Sequence, residues 1–173
     1  MFISSKNKII YTIIAVSIGI LSFANKSEEK GKINTSAEKI ENKVREDFLS
    51  KSIFKENKVV IVNFWASWCI PCLTEMPSLN RLYDLKKDQG LMVVGVNSDY
   101  EEQKKLIKKI KKQYNINYPL EEDKNGKLVD GFSVLGLPTT FIVKEGQIIE
   151  TIKGEFNFNS SDFIKKLDGL LTN

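Results

Sequence analysis

The chain reads as an α/β domain with a central mixed β-sheet flanked by helices. Three observations point there. Residues 58–65 and 91–97 are short, strongly apolar runs with the composition of buried strands. Each is succeeded by a longer segment whose apolar residues recur at helical spacing, the alternation of α/β proteins. Two further strand-like runs, 139–143 and 147–152, flank Glu145-Gly146, a hairpin signal that closes the sheet before a last amphipathic helix over 160–171.

Near the start of the domain, Ile40, Val44 and Phe48 recur at helical spacing behind a capping box of Thr35 and Glu38, which predicts a helix over roughly 36–50. The run 58–65 is too apolar for an exposed strand, so it belongs at the centre of the sheet with both faces covered. The next helix opens at Cys69-Ile70-Pro71-Cys72, shows Leu73, Met76, Leu79, Leu82 and Leu85 at three-residue intervals, and ends at Gly90. Pro77 inside it predicts a kink, because proline has no N–H for the ladder. After the second strand, Asp99 is placed to cap a helix in which Leu106, Ile107, Ile110 and Tyr114 oppose Lys104, Lys105, Lys108, Lys109, Lys111 and Lys112. That lysine face reads either as the solvated side of a packed helix or as a basic surface for anionic lipid or an acidic partner. Residues 118–123, the turn Asn125-Gly126 and a short segment through Val129 and Phe132 lead to the hairpin. No internal repeat or low-complexity tract appears.

Composition restricts the function. The 173 residues suit one domain with a short appendage. Lys and Arg total 26 against 22 Asp and Glu, too balanced for a nucleic-acid-binding protein, and no basic motif with interleaved aromatics is present. The chain has no histidine, which removes Ser-His and Cys-His nucleophile pairs, zinc-protease motifs and imidazole proton shuttles. Its two cysteines cannot complete a four-ligand zinc site alone. No cofactor or metal is expected, although two thiolates by themselves leave a copper carrier open.

Lys6 and Lys8 precede an uncharged, largely apolar run over residues 9–25. As a helix it would extend roughly 25 Å, slightly short of a full hydrocarbon core. The basic flank favours a cytoplasmic N-terminus and export of the rest of the chain. Ser22-Phe23-Ala24 also has the small-residue spacing of a signal-peptidase site. Residues 1–25 are therefore a signal anchor or a signal peptide, 26–35 a charged linker, and 36–173 the folded domain. The expected location is extracytoplasmic: periplasmic, or on the outer face of a bacterial cytoplasmic membrane.

The chemistry-bearing residues are Cys69 and Cys72. Disulfide exchange needs one ionised, accessible thiol and a second that releases the trapped mixed disulfide. A helix N-terminus lowers the first thiol's pKa through its unpaired N–H groups and positive dipole end. Cys69 is placed to attack and Cys72, one turn inside the helix, to resolve, while Pro71 falls near the first turn, where a missing N–H costs little. A C-x-x-C alone fits redox chemistry, metal binding or chance occurrence about equally well. This one comes after a buried strand and opens a helix, the context of the redox reading. A purely structural bridge across so small a loop would gain little entropy.

Trp65-Ala66-Ser67-Trp68-Cys69-Ile70-Pro71-Cys72 resembles the active-site segment of the thioredoxin superfamily, and its continuation Leu73-Thr74-Glu75-Met76-Pro77 resembles the exported, membrane-associated TlpA/ResA-like branch. Gly136-Leu137-Pro138-Thr139-Thr140-Phe141 matches the second family signature. The resemblance covers roughly residues 48–171 and implies a thioredoxin fold, with the branch's extra helix and strand around 100–124. It implies a cis Pro138 facing the cysteines, a Leu137 backbone that pairs with substrate, and substrate contacts from Trp68, Ile70, Pro71 and Thr139. Glu75 matches a carboxylate that assists proton transfer at the thiols, a role that needs its pKa raised by burial. Trp65 reads as core and Trp68 as flanking an exposed sulfur. Ile70 puts no charge between the cysteines, where some members carry Glu. The branch usually begins with a β-hairpin, and this chain departs from it with a helix.

The expected protein is thus a monomeric thiol-disulfide oxidoreductase whose redox group is its own Cys69–Cys72 disulfide. Its expected partners are thiols and disulfides of exported proteins, apocytochrome c among them, and a membrane thiol electron donor. The expected direction is reduction. An oxidase, a general thiol reductase and a non-catalytic binding or metal-delivery module remain open as alternatives, because direction depends on reduction potential and no motif sets it.

Overall fold

The computed structural model describes residues 36–99 and 104–172, and the N-terminal segment, the linker and Thr35 of the capping box lie outside them. Helix α1 spans Ala37–Leu49, and after it comes a single-turn α2 at Ile53–Glu56 that the sequence pattern did not reveal. Strand β1 is Val59–Trp65. Helix α3 is Ile70–Lys86, extended by a 3-10 turn at Lys87–Gln89, and β2 is Leu91–Asn97. Helix α4 is Lys104–Gln113, β3 is Leu120–Glu122 and α5 is Lys127–Gly131. The hairpin is β4, Thr139–Lys144, with β5, Gln147–Lys153, and α6, Ser161–Thr172, ends the described chain. Residues from Ile40 onward belong to one compact unit, while 36–39 fall in the unit before it.

The five strands form one mixed sheet in the order β3-β2-β1-β4-β5. β1, β2 and β3 run parallel, and β4 and β5 are antiparallel to their neighbours. Parallel neighbours need crossover connections, which α3 and α4 supply. β1 is buried along its whole length, as a central strand covered on both faces must be. Its odd-numbered Val59, Ile61 and Trp65 pack with Met76, Leu79, Ile107, Ile110 and Leu167. Its even-numbered Val60, Val62 and Phe64 pack with Phe48, Phe132 and Phe141 in a cluster of edge-to-face and tilted rings. Both residues of the Glu145-Gly146 turn have positive φ, 52° and 74°, the backbone that a tight hairpin of this twist requires.

Several expectations are corrected. The strict three-residue spacing in α3 falls behind a true helix by about 60° per step. Met76, Leu79 and Leu82 are therefore buried, whereas Leu73 is half-buried and Leu85 is 56% exposed. The buried residues are instead Cys72, Glu75, Met76, Ser78, Leu79, Leu82 and Lys86. Pro77 lies inside α3 on its exposed side, where a carbonyl left unpaired is hydrated at little cost. Ile40 is 64% exposed, so α1 contacts the core through Phe48 and the half-buried Leu49 rather than along the whole expected stripe. The Asp99 carboxylate accepts from Ser67 and Asn97, while residues 100–103, which a cap would serve, lie outside the described residues. In α4, Ile107 and Ile110 are buried and Lys105, Lys108, Lys109, Lys111 and Lys112 are exposed, the pattern of a helix packed through one face. No helix among the described residues is long and apolar enough to cross a membrane.

Candidate functional site

The site lies where β1 ends and α3 begins. After Trp65 the chain turns sharply: Cys69 N donates to Ala66 O at 3.1 Å, and Ser98 N donates to Trp65 O at 2.9 Å. Asp99 holds the turn. Its Oδ1 accepts from Ser67 N at 2.8 Å and from Ser67 Oγ at 3.1 Å, and its Oδ2 accepts from Asn97 Nδ2 at 3.0 Å. The loop carrying the cysteines is thereby tied to the end of β2.

Cys69 is the N-cap of α3, with extended backbone, and its Sγ accepts from Cys72 N at 3.3 Å. Cys69 and Cys72 form a disulfide. Cys69 is nearly buried and Cys72 fully so. Trp68, 57% exposed, and Ile70, 75% exposed, stand beside the pair on the surface, with Pro71 also exposed in the first turn of α3. Trp65 is fully buried in the core, as its pattern suggested.

Register brings the second motif to the same end of the sheet. Phe64 pairs with Thr139, so Pro138 enters beside the last residue of β1. The Leu137–Pro138 peptide bond is cis. Pro138 and Thr139 are buried, and Thr139 Oγ1 donates to Gly136 O at 2.7 Å. Pro138 O accepts from Gly154 N at 2.9 Å, whereas the Leu137 N–H and C=O have no backbone partner among the described residues. A groove of about 480 Å³ runs between Trp68 and Leu137, floored by Asn97 and Asp99. A second, of about 570 Å³, lies on the other side of the Leu135–Leu137 ridge and reaches Pro138 and Thr139.

One turn beyond Cys72 on the buried side of α3 is Glu75, 2% exposed. Its Oε1 accepts from Asn63 Nδ2 at 2.7 Å and its Oε2 from Phe156 N at 3.0 Å. Burial pushes this carboxyl up from 4.5 to about 7, assisted by the negative charge of Glu155 and opposed by the two hydrogen bonds. Tyr118 lies in the same buried region, and burial together with Glu75's charge raises its phenol above the ordinary range. Asn63 and Thr140 were not singled out from the sequence. Asn63 Nδ2 also donates to Thr140 Oγ1 at 2.9 Å, its direct partner in the β1–β4 register. A lone amide inside the otherwise apolar run Val60-Ile61-Val62-Asn63-Phe64-Trp65 was the available signal, because a buried polar group needs a partner.

The chain matches the AhpC/TSA family over residues 33–152. It is 34% identical over 175 residues to the thiol-disulfide oxidoreductase ResA of Bacillus cereus, with 94% of this chain and 98% of that one covered. Among solved structures it is similar to a thiol:disulfide interchange protein DsbE from Chlorobium tepidum, at TM-score 0.60 and 27% identity over 68% of this chain and 82% of that one. StoA from Bacillus subtilis is also similar, at TM-score 0.54 and 25% identity over 66% of this chain and 83% of that one. With a five-stranded thioredoxin-like sheet, a half-exposed Trp68 beside a Cys69–Cys72 disulfide, and relatives matched over nearly their whole length, the chain belongs to the AhpC/TSA family as a ResA-like thiol-disulfide oxidoreductase.

Proposed function

We propose that the protein reduces disulfides in exported proteins, apocytochrome c among them, and is recharged by a membrane thiol donor. In this reading residues 1–25 hold it at the outer face of the cytoplasmic membrane, or are cleaved to release it, and it works as a monomer. The observation that carries the exchange chemistry is the Cys69–Cys72 disulfide at the N-terminus of α3, with Glu75, a buried carboxyl that burial pushes up to about 7, one turn beyond Cys72 on the same helix.

In the reduced protein the N-terminus of α3 stabilises Cys69 as thiolate. Substrate polypeptide docks against Trp68, Ile70 and Pro71 on one side, and on the other against Thr139 and the unpartnered backbone of Leu137 beside Pro138. Cys69 attacks one sulfur of the substrate disulfide, forming a mixed disulfide and expelling the other sulfur as thiolate. Cys72 passes its proton to Glu75 and attacks Cys69 Sγ. The Cys69–Cys72 disulfide closes, the second substrate sulfur leaves, and the Glu75 proton returns to the released thiolates through solvent. Two electrons pass to the substrate, and the membrane donor restores them.

Mass spectrometry of a Cys72→Ser variant tests the catalytic part: partners should accumulate as mixed disulfides through Cys69, and a variant that traps none sinks it. The reduction potential tests direction. A value nearer thioredoxin's, about −270 mV, supports the reductase, and one nearer DsbA's, about −120 mV, makes the protein an oxidant.

A further inference from the structure

The Glu75 site has an asymmetry in its hydrogen bonds. Both carboxyl oxygens face N–H donors, Asn63 Nδ2 at Oε1 and Phe156 N at Oε2. That arrangement serves a carboxylate, which only accepts. Once the acid takes a proton, its O–H needs an acceptor, and both groups bonded to the carboxyl are N–H donors. The backbone N–H of Phe156 cannot reverse its polarity, but a side-chain amide can. Asn63 is 1% exposed, and its Oδ1 is a buried acceptor without a partner. Its Nδ2 meanwhile serves both Glu75 and the Thr140 hydroxyl, which is a donor and an acceptor in one group.

We propose that Asn63 is a positioning residue for the Glu75 proton: its amide presents Nδ2 to the ionised acid and turns over to present Oδ1 to the protonated one, with the Thr140 hydroxyl reversing in step. In the turned state Oδ1 accepts from the Glu75 O–H and from Thr140, and the atom left without a partner becomes Nδ2. Each charge state thus leaves one buried end of the amide unsatisfied, and the proton selects between them. The other titratable groups facing Glu75 are Glu155, on the segment after β5, and Tyr118, before β3. Neither donates to the carboxyl in this structure. The inference rests on the reading of Glu75 as the proton acceptor for Cys72.

Nuclear magnetic resonance on the full chain with the disulfide intact tests it. The Glu75 carboxyl carbon and the Asn63 side-chain amide are tracked between about pH 5 and pH 9. Both should move with a single midpoint near 7, and Glu75→Gln should abolish the movement at Asn63. Asn63→Leu should raise the Glu75 midpoint by about one pH unit, because a charge-assisted hydrogen bond is lost from the ionised form and only a neutral one from the acid. A Glu75 carboxyl that titrates beside a pH-invariant Asn63 amide overturns the proposal and leaves the proton-acceptor reading standing. A Glu75 carboxyl that does not titrate in this range overturns both. The wild-type measurement decides even if the leucine variant does not fold.

Discussion

Glu75→Gln should make the protein more stable at alkaline pH while impairing its chemistry. In the folded chain the carboxyl holds its proton to about 7, against 4.5 when unfolded. Below the lower value both states are protonated and the group contributes nothing to the pH dependence. Between the two values the folded protein keeps a proton that the unfolded chain has released, so stability falls as pH rises through that window. Above about 7 the penalty is complete. At about 1.4 kcal/mol per pH unit, the gap amounts to about 3 kcal/mol. Glutamine removes the buried charge and keeps the shape, and its carbonyl can still accept from Phe156 N. Urea unfolding of the oxidised protein from pH 4.5 to 8.5 provides the assay. With a slope of about 2 kcal/mol per molar urea, the wild-type midpoint should drop about 1.5 M relative to the variant across the range. Midpoints that run parallel for the two proteins would refute the claim that burial raises this carboxyl.

Two further substitutions probe the scaffold. Asp99→Ala leaves the donors of Ser67 and Asn97 without their acceptor, so it should cost about 2–3 kcal/mol in the urea midpoint. It should also slow disulfide reduction, because it frees the loop that places Cys69; an unchanged rate would remove Asp99 from that role. Gly95→Ala puts a methyl 2.7 Å from Leu120 Cδ2 and 3.2 Å from Trp65 Nε1 and the Tyr118 ring. The expected loss is about 1–3 kcal/mol, a fall of roughly 5 °C in Tm by calorimetry.

The linear chain carries much of this protein's account. The apolar runs, their alternation with helical segments and the Glu145-Gly146 turn determine a mixed sheet with crossover helices, because period and turn chemistry are local properties. Cys69-Ile70-Pro71-Cys72 at a strand-to-helix junction likewise declares its chemistry locally, through the helix N-terminus that it caps. Residues whose meaning depends on a distant partner were not legible in the same way. Asn63 reads as a strand residue until the antiparallel register sets Thr140 opposite it and α3 lays Glu75 against it. Nothing near Asp99 in the sequence announces that its carboxylate also reaches Ser67, 32 positions earlier. The leucines of α3 look equivalent until the helical rotation sends Leu85 to solvent and Glu75 into the core. Hydrogen-bond partners and desolvation are set by packing between elements, so only the tertiary structure decided the proton affinity of Glu75.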